Sequence, residues 1–156
     1  MNIQPITAGD VPTVEQLAYE YNQELGPDET SKEAVLRWIA FVTQAACAGK
    51  HFFWLARVEE RIAGFVSFQM RTNPFAQKTY GFIEDLYVAP PFRRRGYAEK
   101  LVQAASRELR QHGAAYIELD VLAHNEHGLA FWKKQGLTLH HYVLTRPFPS
   151  EEEQLE

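Results

Sequence analysis

A single cysteine in 156 residues, Cys47, excludes an internal disulfide, so the chain relies on its core and a reducing, cytoplasmic setting is expected. Cys47 sits in an Ala-rich stretch and reads as a small packed side chain rather than a nucleophile. No run approaches the ~20 apolar residues of a membrane-spanning helix. Met1-Asn2-Ile3-Gln4 lacks the basic start and apolar stretch of a signal peptide, so no membrane partner is expected. Basic charge is not in excess either: 16 Lys and Arg stand against 20 Asp and Glu, a net charge of −4. That balance argues against nucleic acid as a partner. The absence of Gly-Lys-Ser/Thr excludes a P-loop nucleotidase, and the absence of Gly-x-Gly-x-x-Gly argues against a Rossmann dinucleotide site. His124, His127, His140 and His141 lack a Glu or Cys at ligand spacing, so no metal is expected.

What is present is a globular composition, 46% hydrophobic and 13% aromatic. The length suits one domain, assigned to residues 1–148, followed by an acidic tail at 149–156. Residues 2–7 read as a strand, and Asp10 as a cap with Pro12 in the first turn of a helix ending at Gly26-Pro27. Thr30 or Ser31 caps a second helix that stops near Gly49. Strands are predicted at 52–58, 61–71 and 80–88, the last ended by Ala89-Pro90-Pro91. A helix at 96–111 stops at Gly113, and 116–121 alternates as a strand. A helix at 126–135 and a final strand at 137–145 complete an α/β mixture with an antiparallel meander in the middle.

Gly96 falls where a strand broken by proline turns abruptly into a helix. A helix start exposes unpaired N–H groups and the positive end of its dipole, which together attract an anion. Gly96 and Ala98 keep the backbone bare there, and Arg93, Arg94 and Arg95 add charge. The alternative is a solvent-facing arginine turn that merely ends the strand. A basic cluster on an acidic chain suits a small polyanion better than a duplex.

Glu84-Asp85-Leu86-Tyr87-Val88 followed by Arg93-x-x-Gly96-x-Ala98 resembles the coenzyme A motif of the GNAT N-acetyltransferases, Gln/Arg-x-x-Gly-x-Gly/Ala after a strand. A second segment, from Asn125 through Phe131-Trp132 to Gly136-Leu137, is similar to that family's Asn-x-x-Ala/Gly-x-x-Phe-Tyr-x-x-x-Gly-Phe helix. The resemblance covers nearly the whole chain. It implies an α/β (α+β) fold with a mixed, mostly antiparallel sheet of six to seven strands, about four helices and splayed central strands. It also implies acetyl-CoA as co-substrate. Backbone groups of Leu86 and Val88, on either side of Tyr87, would pair with the pantetheine arm, and those of Arg94, Arg95, Gly96, Tyr97, Ala98 and Glu99 would hold the pyrophosphate. Asn125 would bond the cofactor arm, with Phe131 and Trp132 flanking its sulfur end.

Acetyl transfer to an amine needs a base for the ammonium. Glu84 and Asp85 are the candidates, and in a regular strand Glu84 shares a face with Phe82, Leu86 and Val88; a bulge would swap the faces. Many members of the family carry a tyrosine where this chain has Trp132, whose indole N–H is only a donor, so that general-acid role does not transfer. Tyr87, Tyr97, Tyr142 or water could replace it. Glu84-Asp85-Leu86-Tyr87-Val88 and Leu17-Ala18-Tyr19-Glu20-Tyr21 are especially similar to the diamine acetyltransferases. Glu20, Glu24, Asp28 and Glu29, facing Glu84, would then attract a small cationic or amino-acid-like acceptor, unless they form a solvated helix face. The competing functions are a protein lysine or N-terminal acetyltransferase, a non-catalytic acyl-CoA sensor, and an arginine contact to nucleic acid. A homodimer through terminal segments such as Tyr142-Val143-Leu144 is compatible with the resemblance.

Overall fold

Strands rich in Phe, Val and Ile, each long enough to cross the molecule, form the centre of the fold. A computed structural model describes residues 1–26, 31–47, 49 and 51–151. In it β2 (His51–Val58), β3 (Arg61–Asn73) and β4 (Lys78–Val88) make an antiparallel meander. β1 (Asn2–Pro5) pairs antiparallel with β2, β5 (Ile117–Glu118) lies parallel to β4, and the order is β1-β2-β3-β4-β5. The helices are α1 (Val11–Leu25), α2 (Lys32–Cys47), α3 (Tyr97–Gln111) and α4 (Glu126–Lys134). Contacts divide the chain into two units, Met1–Ala123 and His124–Glu156, and α4 belongs to the second.

Within the first unit helices cover both faces of the sheet, which is why β3 is buried continuously from Ala63 to Phe68 rather than alternately. On one face Phe53, Phe65 and Tyr87 meet Tyr21 of α1 and Trp38 of α2, with Phe53 and Phe65 stacked at 5.1 Å. On the other, Leu101, Ala105 and Leu109 of α3 are buried. A Cβ on Gly81 would lie 2.5 Å from Leu109 Cδ1, so this glycine lets α3 approach β4 closely.

Local chemistry explains most element ends. Ser31 Oγ accepts from the Ala34 N–H at 3.1 Å and caps α2; Thr30 lies outside the described residues. Asp10 is not the side-chain cap of α1 that its position suggests. Its Oδ2 accepts from the Thr7 N–H and hydroxyl at 2.9 and 2.8 Å, and its Oδ1 pairs with Arg57 at 2.5 Å. Burial works to raise the Asp10 carboxyl, but the bonds from Arg57 and Thr7 outweigh it and hold it below its usual range. The side chain of Cys47, the candidate acids Asp28 and Glu29, and residues 152–156 of the tail lie outside the described residues.

Two strand expectations need correction. The 116–121 segment is a strand only at Ile117–Glu118, and 137–145 forms no strand. The described sheet therefore has five strands rather than six to seven. Alternation decides which side chains share a face but supplies no partner backbone. Along 137–145 Leu139, Tyr142, Val143 and Leu144 are exposed, and no ladder forms. Among the described residues no helix is long and apolar enough to cross a membrane, and no group of three or more His, Cys, Asp or Glu is placed to hold a metal.

Candidate active site

β4 is paired with β3 along its whole length but with β5 only at Gly81 and Phe82. Ahead of that, the Ala115 N–H donates to Thr79 O and the Gly81 N–H to Tyr116 O, each at 2.9 Å. The two strands then part, so from Ile83 to Val88 the β5-side edge of β4 carries no ladder among the described residues. This is the splay expected of the central strands. An open edge of unpaired N–H and C=O groups is what an extended ligand can join as an added strand. Leu86, Tyr87 and Val88 lie on this stretch.

The chain leaves β4 through a single 3-10 turn at Pro90–Phe92 and enters α3 at Gly96. Gly96 has φ +77°, a left-handed conformation that suits glycine, and Arg94 is also left-handed at +62°. A non-glycine residue held there costs about 1–2 kcal/mol, and such strain gathers at ligand sites. The Lys100 N–H is bonded to Gly96 O at 3.1 Å, and no side chain caps α3, so the first-turn N–H groups of Tyr97, Ala98 and Glu99 are left for a ligand. Ser31 and Asn125, by contrast, cap α2 and α4. Nothing lies within 4 Å of a Cβ built on Gly96. An open strand edge running into a bare helix start fits a linear arm that ends in a pyrophosphate.

Glu84 and Asp85 sit at a bulge. Val66 faces Leu86 and Ser67 faces Asp85, but Phe68 faces Ile83, so Glu84 is the extra residue. The regular-strand expectation for Glu84 is therefore corrected. Leu86, opposite Val66, lies on the α3 side, whereas Glu84 and Asp85 both reach the α1 and α2 side. Asp85 Oδ2 accepts from the Ser67 hydroxyl at 2.8 Å, and Tyr21 also bonds Asp85. Burial pushes the Asp85 carboxyl up, the Glu84 charge pushes it further, and the Ser67 and Tyr21 bonds oppose the shift. Burial likewise raises the Tyr21 hydroxyl, helped by Asp85. Glu84 Oε1 accepts from Gln69 Nε2 and lies 3.3 Å from His51 Nε2.

A raised carboxyl keeps its proton longer in the folded chain than in the unfolded one. Between the unfolded value, about 3.9, and the folded value, Asp85 therefore makes stability fall as pH rises. Asp85→Asn is expected to remove that fall while its amide oxygen still accepts from Ser67. Urea midpoints at acid and neutral pH check this: the variant should gain on the parent chain as pH rises above about 4.

The remaining candidates are dispersed. Arg93 turns from the helix start: its Nε donates to Val88 O at 2.7 Å, and its Nη2 donates to both Glu24 oxygens at 2.7 and 2.9 Å. Glu24 thus has its charge already paired, while Arg94 and Arg95 are exposed beside Gly96. The Tyr87 hydroxyl, 3.5 Å from Glu24 Oε1, is pushed up to about 12 by burial and by the charges of Glu24 and Glu20. A proton held so firmly suits a hydrogen-bond donor rather than an acid. Glu20 accepts from Gln16 at 3.0 Å and faces a separate cavity of about 490 Å³, lined also by Asp10, Arg57, Arg61 and Phe92 but not by Glu84. In the second unit Asn125 Oδ1 accepts from the Gly128 N–H at 2.9 Å, and Phe131 and Trp132 meet edge to face at 5.0 Å.

Sequence reasoning missed His51, Gln69, Ser67 and Tyr21. The predicted meander was the available signal, because His51 faces Gln69 and Ser67 faces Asp85 across it.

The sequence pattern of the acetyltransferase (GNAT) family matches residues 11–137. The chain belongs to that family. Over 75 residues it is 29% identical to the L-ornithine N5-acetyltransferase of Arabidopsis thaliana. That stretch is 48% of this chain and 33% of the relative, so the match spans about a third of the relative's length. The aminoglycoside antibiotic 6'-N-acetyltransferase of Acinetobacter haemolyticus is similar in fold, with a TM-score of 0.77 at 19% identity over 97% of this chain and 100% of that one. The ribosomal-protein-alanine N-acetyltransferase of Brucella melitensis biovar Abortus is likewise similar, at 0.77 and 17% over 95% and 100%. Both likenesses concern the fold, the α+β architecture of the GNAT family. They span a small-molecule and a protein acceptor by name, so fold alone does not choose between these.

Proposed function

We propose that the chain is an N-acetyltransferase that takes an acetyl group from acetyl-CoA and places it on a primary amine of a small cationic or amino-acid-like acceptor. The observation that carries this reading is the edge of β4 from Ile83 to Val88, which pairs with no described strand and leads directly into the uncapped start of α3. Acetyl-CoA supplies an activated thioester. The chain supplies the rest. Backbone groups of Leu86 and Val88 bind the linear arm, and the N–H groups at 94–99, with Arg94 and Arg95, bind the pyrophosphate. A β4 backbone N–H at Val88 or a neighbour stabilises negative charge developing on the acyl oxygen. Asn125, Phe131 and Trp132 are assigned to the same co-substrate on the strength of the family motif.

Glu84 acts as the base, directly or through a water, and takes the proton from the acceptor ammonium. Asp85 is the poorer choice, because Ser67 and Tyr21 occupy it and burial favours its protonated form. The Glu84 carboxylate adds negative potential on the α1 and α2 side, which favours a cationic acceptor. The ornithine acceptor named for the Arabidopsis relative supports that class, and the diamine-like strand 84–88 points the same way.

Thiol release from acetyl-CoA, measured against diamines, basic amino acids, aminoglycosides and lysine or alanine peptides, tests the acceptor class. The highest kcat/KM is expected for the diamines or basic amino acids. A peptide turned over faster than every small amine would overturn the assignment.

A further inference from the structure

We propose that His51 and Gln69 are positioning residues that clamp one oxygen of Glu84 and leave its other oxygen to meet the acceptor amine. The inference deepens the reading of Glu84 as base and rests on it. Its starting point is the bulge. Because Glu84 is the unmatched residue between Asp85 and Ile83, its side chain turns to the α1 and α2 side, where it would not point in a regular strand. His51 and Gln69 face each other across β2 and β3 on that same side. Three neighbouring strands thus contribute His51, Gln69 and Glu84 to one row.

The two donors converge on a single atom. Gln69 Nε2 donates to Glu84 Oε1, and His51 Nε2 lies 3.3 Å from the same oxygen. Oε2 is engaged by neither. Only 13% of the His51 side chain and 21% of the Glu84 side chain are exposed, so the row is largely shielded from bulk water. Among the described residues His51 Nδ1 is buried and without a hydrogen-bond partner. That orphan favours one tautomer: a proton on Nε2 has Glu84 Oε1 within 3.3 Å, whereas a proton on Nδ1 has no acceptor among the described residues. The Phe41 ring of α2, edge to face at 5.6 Å, fixes the imidazole plane. A glutamate has three rotatable side-chain bonds, and two donors on Oε1 remove most of that freedom. What remains is a carboxylate aimed through Oε2.

The titratable groups facing Glu84 are Asp85 on β4, His51 from β2 and, through Asp85, Tyr21 from α1; α2 presents the Phe41 ring. Donors to one oxygen hold the other in line with the acceptor, so removing one costs turnover rather than co-substrate binding. His51→Phe and Gln69→Leu are each expected to lower kcat about tenfold, the usual scale for a hydrogen bond to a charged group. Each should leave the Kd for acetyl-CoA within about twofold, so that the loss falls on kcat. His51→Asn, which keeps a donor, should recover part of the loss.

The pH–rate profiles of these variants, alone and combined with Glu84→Gln, are the test. In the Glu84→Gln background the clamp substitutions should add little further loss, because the oxygen they aim is no longer a base. An unchanged kcat in His51→Phe and Gln69→Leu, or a loss that adds in full to that of Glu84→Gln, would overturn the clamp and spare the base. An unchanged profile in Glu84→Gln itself would remove the base, and the clamp with it. Should His51→Phe fail to fold, Gln69→Leu alone decides the matter through the same comparison with Glu84→Gln.

Discussion

Glu84→Gln is expected to lower kcat about a hundredfold at neutral pH, at the lower end of what a positioned base contributes. The substitution keeps the shape of the side chain and an oxygen that can still accept from Gln69, so the fold should survive it. The ability to take a proton is lost. The loss should be largest where wild-type Glu84 is ionised and shrink as pH approaches the range in which the acceptor amine is already neutral. The profile of the variant should therefore climb with pH and lack the wild-type acidic limb. Affinity for acetyl-CoA should be unaffected, since the arm and pyrophosphate are assigned to Leu86, Val88 and residues 94–99. A profile that keeps its acidic limb would remove Glu84 as the base. Transfer of the role to Asp85 would show as a limb that disappears in Asp85→Asn instead.

Gly96→Val is expected to raise the Kd for acetyl-CoA at least about tenfold while the folded structure persists. Two quantities separate those effects. At φ +77° a β-branched residue is strained, which costs stability about 1–2 kcal/mol. Yet a Cβ at Gly96 meets no atom within 4 Å. The side chain does not collide with the protein; it occupies open space at the start of α3, where the pyrophosphate is proposed to bind. Thermal denaturation should register a small loss and isothermal titration a large one. Retained affinity with normal folding would contradict the assignment of that loop.

Sequence reasoning located both of these residues, for different reasons. The arginine-glycine turn was legible because proline ends a strand, glycine permits a left-handed start and a helix follows. These are local rules that need no partner. The meander was legible because residues 52–88 carry strand-forming residues in three runs with clear breaks. The carboxylates were found, but the face of Glu84 stayed open between a regular strand and a bulge, because a bulge is a property of two strands in register and leaves little trace in one. His51 and Gln69 escaped for the same reason, as their meaning arises only when β2, β3 and β4 lie side by side. The strand predicted at 137–145 misled in the opposite direction, because a run of strand-forming residues makes no strand without a partner. Arg93 had the right charge, but its guanidinium serves Glu24 and Val88 O, which lie 69 and 5 residues away in sequence.

The most direct test of the central claim follows acetyl transfer itself, with purified protein, acetyl-CoA and ornithine or a diamine analysed by mass spectrometry. The account predicts acetylated amine forming in step with free thiol, abolished by omission of the amine and reduced about a hundredfold in Glu84→Gln. Acetyl-CoA bound at the Gly96 loop, with no acetylated product from any amine offered, would contradict it and leave a binding protein in place of an enzyme.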